Sequence, residues 1–173
     1  MRIKVIALNI LRFLILILLQ TFIFNKINLG GYLNPMIYPL FILLLPFEIS
    51  GGLLLSLAFI MGLSIDIFVG SIGLHAGATV YMAFLRPISL KFISSNREYE
   101  TGISPGINDL GYLWFIKYTV FLVFSHHLFF FFMEAFSFSE FTATINRILL
   151  STGLSVVIIL FLNVMFKPNI KRK

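Results

Sequence analysis

The sequence predicts an all-α membrane protein: a polytopic helical bundle of about six spans, with residues 1–173 forming a single integral membrane domain. Three observations carry that prediction. Of the 173 residues, 59% are hydrophobic and 12% charged, whereas soluble domains carry about 25% charged residues. The mean hydropathy is +1.00, and the apolar residues, 21 Phe among them, are gathered into runs separated by short polar connections. Six spans of ~20 residues use roughly 120 residues, so a separate soluble catalytic domain does not fit. The lack of Cys excludes disulfides, thiolate metal sites and a Cys nucleophile. The net charge of +6 comes from residues beside apolar runs, not from one basic patch, so membrane orientation is a simpler reading than a nucleic-acid partner, and no nucleic acid is expected.

The first span covers residues 5–24, behind the basic start Met1-Arg2-Ile3-Lys4. Its charge order is that of a signal peptide, but the run exceeds an h-region of about 7–15 residues and no small-x-small cleavage site follows, so it reads as a retained span. Gly30-Gly31 and Asn34-Pro35 mark a loop over residues 25–35. A second, short span covers residues 36–47, with Tyr32 and Tyr38 as interface anchors. Twelve residues rise only ~18 Å against a hydrocarbon core of ~30 Å, so this span must be extended at its ends, kinked by Pro39 and Pro46, or buried against neighbours.

A third span over residues 52–69 and a fourth over 74–93 form a helical hairpin across Gly70-Ser71-Ile72-Gly73. Residues 94–111, with Asn96-Arg97-Glu98, Ser104-Pro105-Gly106 and Asp109, form a polar loop too short for a domain. The fifth span covers 112–133, opened by Tyr112 and Trp114 at an interface; residues 134–144 connect it to a sixth over 145–166, and a basic tail follows. No fixed-period repeat occurs.

Placing the N-terminus in the cytoplasm puts Arg2, Lys4, Arg86, Lys91, Arg97, Lys117, Lys167, Lys171, Arg172 and Lys173 on that side, with Lys26 and Arg147 near the outer face and Arg12 within the first span. That distribution predicts an even number of spans and both termini cytoplasmic. The outer connection after the fifth span carries Glu134 and Glu140 instead.

Few residues offer chemistry. Asp66 is the one acidic residue deep in an apolar run, and Gly62 and Gly70 lie four residues to either side. On a helix the three share a face, where two glycines let a neighbouring helix approach closely beside the carboxylate. The alternative is an Asp at an outer helix end that reaches water. His75 begins the fourth span, across the turn from Asp66, and a His/Asp pair there reads chiefly as a hydrogen-bonded structural pair, since no further ligands stand at metal-binding spacing. His75, Thr79 and Arg86 make a loose polar stripe, and Gly73 and Gly77 a second G-x-x-x-G packing pair. His126 and His127 point about 100° apart on a helix and do not converge on an ion as an i, i+4 pair would. The Phe129 to Phe132 run reads as lipid-facing bulk. Arg12, with Asn9 and Gln20, either faces the bundle or snorkels toward the cytoplasm. No phosphate loop, H-E-x-x-H motif, catalytic triad, metal site or cofactor motif is present.

The run Gly62-Leu63-Ser64-Ile65-Asp66-Ile67-Phe68, followed by Gly73-Leu74-His75, resembles the G-x-x-x-D-x-F then G-x-H pattern of the rod shape-determining protein MreD family. The basic N-terminus, the size and Arg86-Pro87 closing the fourth span resemble that family too. The resemblance implies a non-enzymatic scaffold of the bacterial inner membrane that supports cell elongation, with MreC, the MreB filament system, and RodA with its transpeptidase as partners, and membrane lipid as solvent. Together with the glycine spacings it marks Gly62, Asp66, Gly70, Gly73, His75, Gly77 and Arg86 as partner or packing residues. It also implies a bundle similar to the substrate-binding subunit of energy-coupling-factor transporters, which supplies the alternative reading, a vitamin-binding or small-solute-binding transport subunit. Such subunits often carry A-x-x-x-A in their first span, where this chain has only Ala7.

Overall fold

The computed structural model describes residues 2–27, 33–93, 105–136 and 141–165. All the regular structure among these residues is helical, in the order α1 (Arg2–Phe22), a single 3-10 turn (Phe24–Lys26), α2 (Leu40–Leu43), α3 (Gly51–Val69), α4 (Leu74–Ile93), α5 (Ile107–Leu110), α6 (Tyr112–Ala135) and α7 (Phe141–Met165). Four stretches are long and apolar enough to cross a membrane: Val5–Lys26, Gly51–Val69, Tyr112–Ala135 and Phe141–Met165. Helix α4 matches them with 20 residues, but His75, Arg86, Pro87 and Lys91 dilute its apolar character.

Helix limits follow local chemistry. Helix α3 opens behind Ser50 in extended conformation and closes on Gly70 at φ +78°, the left-handed cap that glycine adopts without Cβ strain. The long helices pack as a row, α1 on α3, α3 on α4, α4 on α6 and α6 on α7, with wide apolar surfaces on α1, α3 and α7 left for lipid. Pro87 lies inside α4, which runs on to Ile93, so Arg86-Pro87 does not close this helix. Such a proline is tolerated where neighbouring groups satisfy the freed carbonyl.

The second predicted span takes a different form. Only one helical turn, Leu40–Leu43, occurs within residues 33–47, because Pro35, Pro39 and Pro46 remove amide donors and clash with the preceding turn. This segment, here called the strap, is threaded through the bundle: Met36, Ile37, Tyr38, Leu40, Phe41, Ile42, Leu43 and Leu45 are all buried. Phe41 packs edge-on to Phe13 of α1, with ring centroids 5.3 Å apart. Tyr38, expected at an interface, is fully buried.

Helix α7 begins at Phe141, four residues before the predicted span, and α6 extends to Ala135. The phenylalanine run near the end of α6 is not lipid-facing bulk: Phe130 and Phe131 are buried, and Phe129 and Phe132 are half-buried. The strap fills the centre, so this half of α6 meets protein on several sides. Residues 28–32 of the predicted loop, Tyr32 among them, lie outside the described residues, as do residues 94–104, Glu140 and the basic tail.

Candidate functional site

Two polar constellations lie inside the apolar bundle. The first joins α3 to α4. Asp66, 2% exposed, accepts through Oδ1 from the Ser71 hydroxyl at 2.5 Å, the His75 amide at 3.1 Å and His75 Nδ1 at 2.9 Å, and through Oδ2 from the Ala76 amide at 2.9 Å. The amides of His75 and Ala76 belong to the first turn of α4, whose donors have no intrahelical partner. Asp66 therefore caps a helix other than its own, with its charge at the positive end of the α4 dipole.

Gly62 allows this approach. A Cβ at that position would lie 2.5 Å from Ala76 Cα and 2.6 Å from Ala76 N, and against the His75 carbonyl, so the two backbones touch where any side chain would hold them apart. Gly77 works against a side chain instead, with Phe129 Cε1 3.0 Å from where its Cβ would stand.

Gly70 and Gly73 differ from expectation. Neither has any atom within 4 Å of a would-be Cβ, so neither is a packing glycine. Their φ values of +78° and +75° bend the chain between the helices, and glycine is used there for conformational freedom. A four-residue spacing looks alike in both roles.

Ser71, His75 and Asp66 are the residue types of a nucleophilic triad without its geometry. Ser71 Oγ and Asp66 Oδ1 both address the same nitrogen, His75 Nδ1, at 3.0 and 2.9 Å, whereas a relay needs the ring between hydroxyl and carboxylate. The cluster binds a turn together. Among the described residues no group of three or more His, Cys, Asp or Glu side chains converges as metal ligands.

The second constellation holds the strap. Gln20 of α1 accepts from the Ile37 amide at 2.7 Å and donates to the Pro35 carbonyl at 3.1 Å. On α7, Ser151 accepts from the Asn34 amide at 3.1 Å and Ser155 from the Met36 amide at 2.9 Å. His127 Nδ1 donates to the Val123 carbonyl at 2.8 Å, which leaves Nε2 to accept from Ser155 at 3.3 Å. Tyr38 Oη lies 2.6 Å from His126 Nε2. At the other end Arg86, 2% exposed, donates through Nη2 to the Leu45 carbonyl, through both terminal nitrogens to the Pro46 carbonyl at 3.4 Å, and through Nε to Tyr118 at 2.8 Å. Non-helical backbone at membrane depth survives only where protein satisfies its polar groups, and these side chains do so from four helices.

Arg86 is thus separated from His75 and Thr79 by function as well as distance. Eleven residues along α4 amount to ~16 Å, and Thr79 turns back to the His75 carbonyl at 2.6 Å. The polar stripe resolves into two sites. Arg86 is sequestered in protein and not spread on a cytoplasmic surface, while Arg147 pairs with Glu134 at 2.7 Å. Arg12 is half-buried and donates to Asn9 at 3.3 Å.

In the sequence Tyr118, Ser151 and Ser155 are inconspicuous, and His126 and His127 stand out only as a pair that does not converge on an ion. The available signal was their polarity inside apolar runs, together with the three strap prolines that demand outside partners. Comparison with protein families, with curated proteins and with solved structures finds no match to this chain.

Proposed function

We propose that this chain is a non-enzymatic scaffold of the bacterial cell-elongation complex, of the MreD type, seated in the inner membrane and supporting MreC, the MreB filament system, and peptidoglycan synthesis by RodA and its transpeptidase partner. The observation that carries this reading is the α3–α4 node. The residues behind the family resemblance, Gly62, Asp66 and His75, meet at one place, with Asp66 capping α4 and Gly62 against its backbone. A motif defined by a structural junction suits a protein whose work is to present surfaces.

The strap supports the scaffold reading over the transport reading. A solute-binding subunit needs space among its spans, whereas here residues such as Ile37, Tyr38, Ile42 and Leu43, each 0% exposed, occupy the centre. Counting the strap, the proposed topology is six passes, made by α1, the strap, α3, α4, α6 and α7, with both termini cytoplasmic. The basic residues favour that orientation.

Purification from native membranes, followed by identification of co-purifying proteins and tightly bound small molecules, tests the reading together with depletion in the source cell. The expected result is recovery of MreC and loss of rod shape. A stoichiometric vitamin with normal cell shape overturns it. Single cysteines within residues 96–108 are expected to be protected from impermeant reagents added outside intact cells; labelling there rejects the topology.

A further inference from the structure

The turn between α3 and α4 combines a largely self-contained polar interior with an apolar exterior. Much of its polar demand is met from within: the Gly70 and Ser71 amides bond the Asp66 carbonyl at 2.8 and 3.2 Å, and the Asp66 carboxylate takes the Ser71 hydroxyl and the His75 and Ala76 amides. Its apolar side chains point outward, with Ile72 99% exposed, Ile67 73%, Phe68 59% and Val69 48%. Between Ile67 and Leu74 no residue is charged. A turn in water gains nothing from a bare Ile at its tip.

Depth follows from the helices. Glu48 marks one edge just before α3, and the 19 residues of α3 rise ~28 Å, close to the ~30 Å of a hydrocarbon core. An independent measure agrees. The His75 ring lies 4.7 Å from the Phe130 ring of α6. Glu134, paired with Arg147, stands one helical turn beyond Phe130, ~5–6 Å further out. The first charged pair on that side is therefore level with the turn or above it.

We infer that the α3–α4 turn does not emerge into water but lies in the bilayer at the boundary between acyl chains and headgroups, with Ile67, Phe68, Val69 and Ile72 covered by lipid. Asp66 then stands in for water at that depth, accepting from donors that lipid leaves unserved. This inference needs only the membrane reading and is independent of the scaffold assignment.

The native chain has no Cys, so Ile72→Cys and Phe68→Cys each give a single labelling site on an exposed position. Each variant is spin-labelled in nanodiscs of phosphatidylethanolamine and phosphatidylglycerol containing one copy of the protein. Collision rates with oxygen and with a water-soluble nickel chelate are then compared. The expected result is greater access to oxygen than to nickel at both positions, with residue 68 deeper than residue 72. Greater access to nickel at residue 72 overturns the inference in favour of an aqueous loop. Shielding from both reagents also overturns it, since the tip would then be covered by protein.

Discussion

Arg86 and Tyr118, 32 residues apart and on neighbouring helices, meet at 2.8 Å, and both also turn to strap carbonyls, Arg86 to Leu45 and Pro46 and Tyr118 to Leu43 at 3.3 Å. A buried cation is here shared among neutral oxygens, with the Phe47 ring centroid 5.9 Å from the guanidinium carbon. Arg86→Ala leaves those carbonyls unserved, and each buried unsatisfied group costs ~1–3 kcal/mol. Thermal unfolding in detergent is expected to show a large loss. Arg86→Lys is expected to recover only part of it, because an ammonium lacks the planar fork that reaches two carbonyls and a phenol together. Full recovery by Lys would show that charge alone matters there.

Gln20 and Ser155 serve adjacent amides, those of Ile37 and Met36, from helices at opposite ends of the row. Gln20→Leu and Ser155→Ala are each expected to destabilise the bundle by about 1–2 kcal/mol. The double variant is expected to fall short of the sum, since a strap released on one side has less to lose on the other. Strict additivity in a double-mutant cycle would show that the two clamps act separately.

The glycines separate by mechanism. Gly62→Ala puts a Cβ into the α4 backbone and is expected to cost at least ~1–3 kcal/mol, as overpacking does. Gly70→Ala meets open space but must hold a left-handed φ, for roughly 1–2 kcal/mol. Gly153→Ala, with nothing within 4 Å and an ordinary φ, is expected to be neutral or slightly stabilising. Melting temperatures measured side by side check the order, and Gly70→Ala exceeding Gly62→Ala would contradict the close approach of α3 and α4.

Asp66→Asn keeps the shape but turns one acceptor oxygen into a donor, which then faces either an amide or Ser71. Asp66→Leu removes both acceptors. Under the proposed scaffold function, the expected ranking of MreC recovery at matched membrane abundance is wild type, then Asn, then Leu, with Ser71→Ala milder than either. Recovery equal to wild type for Asp66→Leu, Gly62→Leu and His75→Ala together would dissociate the node from partner binding.

Much of this architecture is legible in the residues. The hairpin reads directly, with α4 lying on the predicted residues 74–93 and α3 beginning one residue earlier than predicted, because apolar runs bounded by glycine leave little choice. The Asp66–His75 contact at 2.9 Å is legible as well, since a tight turn brings positions nine apart together. The strap is not. An apolar run broken by prolines fits a kinked helix or an extended thread equally well locally, and the deciding partners, Ser151 and Ser155, lie at the far end of the chain. His126 shows the same limit: its helical spacing relative to His127 says nothing of Tyr38, 88 residues away.

The strap also sets an order of assembly. Helix α3 finds its partner α4 immediately next in the chain, so that hairpin is able to form as soon as it leaves the ribosome. The amides of Asn34 and Met36 have to wait for hydroxyls 117 and 119 residues downstream. Until α7 is made, the strap has its Gln20 partner on α1 but not these two hydroxyls. The bonding of a segment made early is thus completed only by a helix made late.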